Sequence, residues 1–536
     1  MRIFFFGVSM ALCATAQVCP RFAAGSAIVA PEDLYSKDGL LTVKLKYQTE
    51  VDNNGNTLYC FTDSSGAQSP TLHVNPGDRI AMSVTNGIAG AAPAMAMAMP
   101  THAAAPALGA VCGSSNPMSP TSVNMHFHGT NTPPVCHQDE VIRTLINAGE
   151  TFEYDLKIPG DEPPGLYWYH PHVHGIAEAA VQGGASGAIV VDGIQNVNPT
   201  VAGLTEQLLI VRDNNVPGAP SGDLVPAWDL SVNYIPVAYP VYTPAVITMK
   251  PGEKQFWRVL NASADTILDL QLQYDGIAQS LTIVALDGVP TGSQDGTTQG
   301  KSIAANYILI PPAGRAEFIV TGPAATVAVA TLKTLTVDTG PNGDYDPVRP
   351  LANIQVSASA IPARIVPAVS APPTPARFAN LAEVTPTSKR TIYFSEVSLD
   401  PEDFDAAVIF FVTVDGQTPV AFDPANPPAI VTTQGSVEDW TIENRSMETH
   451  AFHIHQIHFL VMAENGVADT NPQFLDTVSI PYWTGAGPYP SVTVRMDFRG
   501  PVVGDFVYHC HILEHEDGGM MATIRVNPAP AQPGRK

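Results

Sequence analysis

The sequence predicts an all-β chain made of three consecutive β-sandwiches, and three observations lead there. A chain of 536 residues exceeds one ordinary core and suggests about three domains. Its 49 prolines and 42 glycines, with few long stretches of helical periodicity, describe many short strands joined by turns. A pattern of glycine, a bulky residue five positions on and asparagine nine positions on occurs at Gly77, Met82, Asn86, again at Gly252, Trp257, Asn261, and again at Gly435, Trp440, Asn444. Each copy lies in sequence that alternates apolar and polar, the period of a strand with one buried face. A glycine-led strand follows the first two copies, at Gly149-Glu150-Thr151-Phe152 and Gly314-Arg315-Ala316-Glu317-Phe318, and Val492 to Phe498 is the weaker counterpart in the third.

Taken in order, the chain opens with Arg2, an apolar run from Ile3 to Leu12 and the small-x-small motif Ala14-Thr15-Ala16. This reads as a secretory signal ending near residue 27. The run is much shorter than the ~20 residues a membrane span requires, so the mature chain is expected to have no membrane span and to be secreted or periplasmic. The first sandwich is placed at residues 28–195, the second at 196–360 and the third at 378–536. The Pro-rich stretch 361–377 is the expected linker.

Chemistry concentrates in His509-Cys510-His511-Ile512-Leu513-Glu514-His515, followed by Met520. On a strand, neighbours point to opposite faces, so Cys510 faces away from His509 and His511 and one strand serves two metal sites. A thiolate and imidazole with a weak axial thioether form the donor set of a blue electron-transfer copper, read here as Cys510, His515 and Met520. The pairs His126-Phe127-His128 and His170-Pro171-His172 each put two imidazoles on one face. In His450-Ala451-Phe452-His453-Ile454-His455, His453 and His455 share a face and His450 takes the other, so His450 joins the blue copper. These motifs hold ten of the fifteen histidines, and none occurs between His174 and His450. A lone His-x-His pair is as readily a coincidence or part of a structural zinc site, but ten histidines and a cysteine exceed what one or two four-ligand sites need.

The four motifs resemble, ligand by ligand and in order, those of the multicopper oxidase family, which includes laccases, ascorbate oxidase, bilirubin oxidase and bacterial copper-efflux oxidases. The resemblance spans roughly residues 40 to 526. It implies three cupredoxin-like Greek-key domains and four coppers per chain. By resemblance His450, Cys510, His515 and axial Met520 hold the type 1 copper, and His126 and His453 the type 2. His128, His170, His172, His455, His509 and His511 hold the type 3 pair. Met520 aligns the chain with the bacterial branch, many fungal laccases having Leu or Phe there. One departure, Ala451 where the family often has proline, is expected to matter little. Asp139 and Glu516 resemble the acidic positions that relay protons in the family.

The middle repeat has neither His nor Cys, so the first and third must supply the ligands and enclose the trinuclear cluster. For His73, His102, His137, His174 and His458 we expect surface or supporting roles. Cys510 is committed to copper and Cys13 lies in the signal; Cys19, Cys60, Cys112 and Cys136 remain, and their pairing is open. A net charge of −24 argues against nucleic acid and mildly favours cationic or neutral substrates. Residues Ala89 to Pro120 carry Met95, Met97, Met99, His102 and Met118 amid Ala and Pro. We read this as a low-complexity surface loop; thioethers also select Cu(I), which makes a cuprous-ion collecting loop the other reading.

The expected function is oxidation of phenolic or related aromatic donors with O2 as acceptor. Oxidation of Cu(I), Fe(II) or Mn(II) in metal tolerance is the alternative, and a non-enzymatic structural role the second. Retention of every ligand argues against the structural role, and the three repeats argue against a two-domain nitrite reductase.

Overall fold

The computed structural model describes residues 17–88, 112, 116–216, 225–293, 300–358, 364–371, 377–400 and 407–530. Among these, strands dominate, and the longest helix, Ala177–Gln182, has six residues. No helix among the described residues is long and apolar enough to cross a membrane. The methionine-rich segment lies outside the described residues except for Cys112 and residues 116–120, and Met118 is exposed.

The strands form six sheets that pair into three sandwiches. In the first, Thr57–Thr62, Leu40–Val51, Arg79–Asn86 and Thr151–Lys157 lie side by side. They face a sheet ordered Asp33–Tyr35, Thr71–Val74, Gly187–Val191, Gly165–His170, His126–His128. Alternation sets which face is buried: Leu41, Val43, Leu45 and Tyr47 point inward while Thr42, Lys44 and Lys46 are exposed. The core between the sheets gathers these with Ile80, Met82, Val84, Phe127 and Tyr169. Gly165–His170 is buried along its whole length, because its second face, Leu166 and Trp168, packs on Leu208, Ile210, Leu260 and Ala313 of the middle sandwich.

The middle sandwich centres on Thr205–Asn215, Lys254–Asn261 and Arg315–Thr321, opposed by Ala245–Met249, Arg349–Val356, Ala330–Leu335 and Leu268–Tyr274. The third centres on Ser388–Ser398, Val437–Asn444 and Ser491–Asp497, opposed by Met521–Asn527, Gly504–Cys510, His450–Ile454 and Thr477–Ile480. The sequence repeat has a shared physical role. Asn86, Asn261 and Asn444 each end a central strand with no exposed surface. Their amides donate to Thr121 O and Ile146 O, to Thr266 O and Ile310 O, and to Glu448 O and Ile480 O, at 2.6–3.2 Å. Each side chain thereby ties the end of one sheet to the chain that closes the sandwich.

Two disulfides, Cys19–Cys60 and Cys112–Cys136, resolve the open pairing, and Cys510 is free and buried. The Pro-rich stretch is more than a connector over its described residues: Arg364–Ile365 pairs with Thr205 and Glu206, and Val366 is buried.

Candidate metal centres

The strand Gly504–Cys510 lies beside His450–Ile454 in a register that sets Cys510 opposite Phe452 and His509 opposite His453. Phe506, Tyr508 and Cys510 enter the core of the third sandwich, while Val507, on the His509 side, packs against Val141 of the first. The predicted alternation is therefore present. Cys510 Sγ lies 3.7 Å from His450 Nδ1 and 3.6 Å from His515 Nδ1, and those nitrogens are 3.0 Å apart. The short helix Leu513–Asp517 carries His515 back to Cys510. Met520, fully buried, belongs to the same core, and its carbonyl accepts from Cys510 N–H at 3.1 Å. The outer nitrogens are anchored: His450 Nε2 meets Ser446 Oγ at 2.6 Å, and His515 Nε2 meets Glu448 Oε1 at 3.2 Å. Such outer partners orient imidazoles that ligate through the other nitrogen.

The remaining eight histidines meet between the first and third sandwiches. His126 is opposite His170 in the sheet register. Nε2 atoms of His172, His455 and His509 form a triangle with sides of 3.1–3.3 Å. His126, His128 and His170, and likewise His126, His453 and His455, bring ligand atoms within 4.8 Å of one another. All eight are at most 2% exposed. His126 Nε2, His128 Nδ1, His170 Nε2, His453 Nε2 and both nitrogens of His511 have no hydrogen-bond partner among the described residues. So many unpaired buried nitrogens would be costly in an apolar interior and fit a site built for metal. Burial lowers the pKa of the imidazoles, His509 to about 3, so they are neutral and offer lone pairs, the form a metal requires. Thiolate with imidazole in one site, and imidazole alone in the other, both suit copper.

Two family models described as multicopper oxidase match residues 396–530 and 110–196. Over these two regions the chain matches the multicopper oxidase family. The multicopper oxidase mco of Staphylococcus aureus is 33% identical over 121 residues, which is 22% of this chain and only 24% of that protein. A laccase of Bacillus subtilis (strain 168) is 23% identical over 446 residues, 75% of this chain and 79% of that one. A solved multicopper oxidase from Campylobacter jejuni, described as a metallo-oxidase, superposes with a TM-score of 0.65 at 21% identity, covering 95% of this chain and 96% of that one. That likeness supports three cupredoxin-like domains as the fold.

Both carboxylates singled out in the sequence lie at the histidine cluster. Asp139, 1% exposed, holds His126 Nδ1 at 3.0 Å and accepts from Phe127 N–H and Gln456 Nε2. Burial pushes its pKa up to about 7. Glu516 is fully buried, its oxygens 3.5 Å from His172 Nδ1 and 3.4 Å from His509 Nδ1, and burial raises it well above the usual carboxylate range. Of the histidines outside the motifs, His137 is exposed on Phe152 and His73 pairs with Asp33 and Asp192. His458 is fully buried with Nε2 on Asp287 O, and His102 lies outside the described residues. Sequence reasoning missed Asp476 and Glu448, which touch the clustered histidines, Gln456, which reaches them through Asp139, and Arg315, which reaches them through Asp476. Asp476 and Arg315 are single residues far from the histidines in sequence, so only the fold brings them there; Gln456 and Glu448 lie beside His455 and His450 in sequence but belong to no period or motif.

Proposed function

We propose that this chain is a copper-dependent oxidase that takes single electrons from phenolic or related aromatic donors and reduces O2 to water. The observation that carries this reading is the triplet His509-Cys510-His511, which faces one set of donors with its thiolate and a second with its two imidazoles. His450, Cys510, His515 and Met520 would hold one copper, His126 and His453 a second, and His128, His170, His172, His455, His509 and His511 a further pair. Copper bound there supplies one-electron storage, and four such ions match the four electrons that O2 needs. The protein's share is to keep the ligands neutral, dry and oriented. Glu516, between two ligating imidazoles, and Asp139, behind a third, hold protons where reduced oxygen needs them. Glu448, on the outer nitrogen of His515 and with its side chain 13% exposed, is where a donor would approach.

One observation favours the alternative reading, a metallo-oxidase. Around His515, burial raises the carboxyls of Glu396 and Asp344, and nearby negative charge adds to it, from Glu448 on Glu396 and from Glu514 and Glu448 on Asp344. Such a face attracts cations. Oxygen uptake by the copper-loaded protein decides between them: turnover of dimethoxyphenol above that of Cu(I) or Fe(II) supports the phenol reading, and the reverse order replaces it with the metallo-oxidase. The two disulfides support an exported protein. Cleavage at Ala14-Thr15-Ala16, before Cys19, would retain the Cys19–Cys60 bond, which an end near residue 27 would remove; the N-terminal sequence of the secreted chain tests this.

A further inference from the structure

We infer that Arg315, from the sandwich that supplies no copper ligand, is a positioning residue for the histidine cluster and acts through Asp476. The inference rests on the copper reading above. Arg315 opens the strand Arg315–Thr321 and is 1% exposed. Its guanidinium forks onto Asp476, Nη1 to Oδ1 at 2.8 Å and Nη2 to Oδ2 at 2.5 Å, while Nε donates to Leu166 O at 3.1 Å. A planar fork of this kind fixes a carboxylate in orientation as well as in place. From the same sandwich, Asp287 Oδ2 accepts Asp476 N–H at 3.1 Å and Thr477 N–H at 3.2 Å. The middle sandwich thus holds Asp476 by side chain and by backbone.

Asp476 in turn holds two imidazoles from two different sandwiches. Its Oδ1 accepts from His128 Nε2 at 3.2 Å, and its carbonyl accepts from His453 Nδ1 at 2.7 Å. With those protons placed, His128 is left with Nδ1 and His453 with Nε2, the two atoms that are buried without a partner among the described residues. The one residue therefore selects which nitrogen each histidine presents. Asp476 could itself be mistaken for a ligand, since it lies within 4.8 Å of both. Its Oδ1 is already engaged by Arg315, His128 and Thr477 Oγ1, and its Oδ2 by Arg315, so its role is to orient.

The backbone beside His128 is shaped for this contact. Gly129 has φ +83°, and a Cβ there would overlap Arg315 Nη2 and lie 2.8 Å from Asp476 Oδ2. The absence of a side chain lets the arginine of one sandwich reach the carboxylate of another past a ligand strand of the first.

The test uses the copper-loaded chain with Asp476→Asn, Arg315→Met and the double variant. The double variant removes both buried charges together, so neither is left unpaired. Copper affinity is measured by chelator competition, with the blue thiolate–copper absorption as a separate report on the Cys510 site. The inference expects copper held by the histidine cluster to weaken about 10- to 100-fold in all three variants while the blue absorption is retained. In the copper-free wild type, ring nitrogen shifts should show His128 protonated at Nε2, and in Asp476→Asn that preference should weaken. Unchanged affinity at the cluster, or equal loss at both sites, overturns the inference. A wild-type chain that takes up no copper contradicts the proposed function and this assignment with it; one that binds copper while the variants match it overturns this assignment alone.

Discussion

Glu516 shows how much of the chemistry rests on single buried side chains. Its carboxyl spans the Nδ1 atoms of His172 and His509, whose Nε2 atoms lie 3.3 Å apart on the ligand side. Neither carboxyl oxygen has a hydrogen-bond partner among the described residues, and burial keeps the group protonated far above the usual range. Glu516→Gln keeps the shape and removes the exchangeable acid. We predict that O2 turnover of the copper-loaded variant falls by about 10²- to 10⁴-fold, with copper content and blue absorption unchanged; copper analysis beside oxygen uptake checks both. Glu516 was legible because it follows His515 directly. Asp476 was not, because it lies 348 residues from His128 and reads in sequence as one more acidic residue in a loop.

At the scale of elements, period-two spacing carried most of what could be read. The His-x-His pairs share faces because their strands put them there, and Cys510 turns away from His509 into the core of the third sandwich. The repeated asparagine was visible only as a pattern, and its reason appears once the sheets are assembled. In all three sandwiches its amide feeds carbonyls of the chain that closes the sandwich. Asn444 serves three, Glu448 O, Ile480 O and Pro481 O. Asn444→Ala removes the donor these three carbonyls share, of which that of Ile480 is buried. We predict a loss of about 1–3 kcal/mol, read as a lower denaturant midpoint. Because Asn444 holds the turn through Glu448 that leads into His450, the blue absorption should weaken in the same variant. The disulfides could not be read from sequence, since four cysteines allow three pairings.

Across the whole molecule, the middle sandwich, which has no His or Cys, braces the two whose histidines cluster. Arg315 and Asp287 do so at the histidine cluster, and a second contact joins the sandwiches at the far edge of the first. There His73, stacked on Tyr35, lies between Asp33 and Asp192, with Arg364 of the connecting stretch beside it. Burial alone would lower the imidazole, but hydrogen bonds to Asp192 and Asp33 outweigh it and the folded pKa is raised above 6.5. The contribution to stability is therefore full below about pH 6.5 and is lost as pH rises through the raised value. We predict that wild type loses thermal stability over that rise and that His73→Gln flattens the dependence, as melting temperature against pH will show. The claim at the centre of this account is that electrons enter at Cys510 and leave at the histidine cluster. The most direct test is the ratio of donor oxidised to O2 consumed by the copper-loaded chain, compared with Cys510→Ser. The account predicts four one-electron donors per O2 with no peroxide released, and loss of donor oxidation in Cys510→Ser with copper still held by the histidines. Undiminished turnover in Cys510→Ser, or a histidine cluster that takes up no copper, would contradict it.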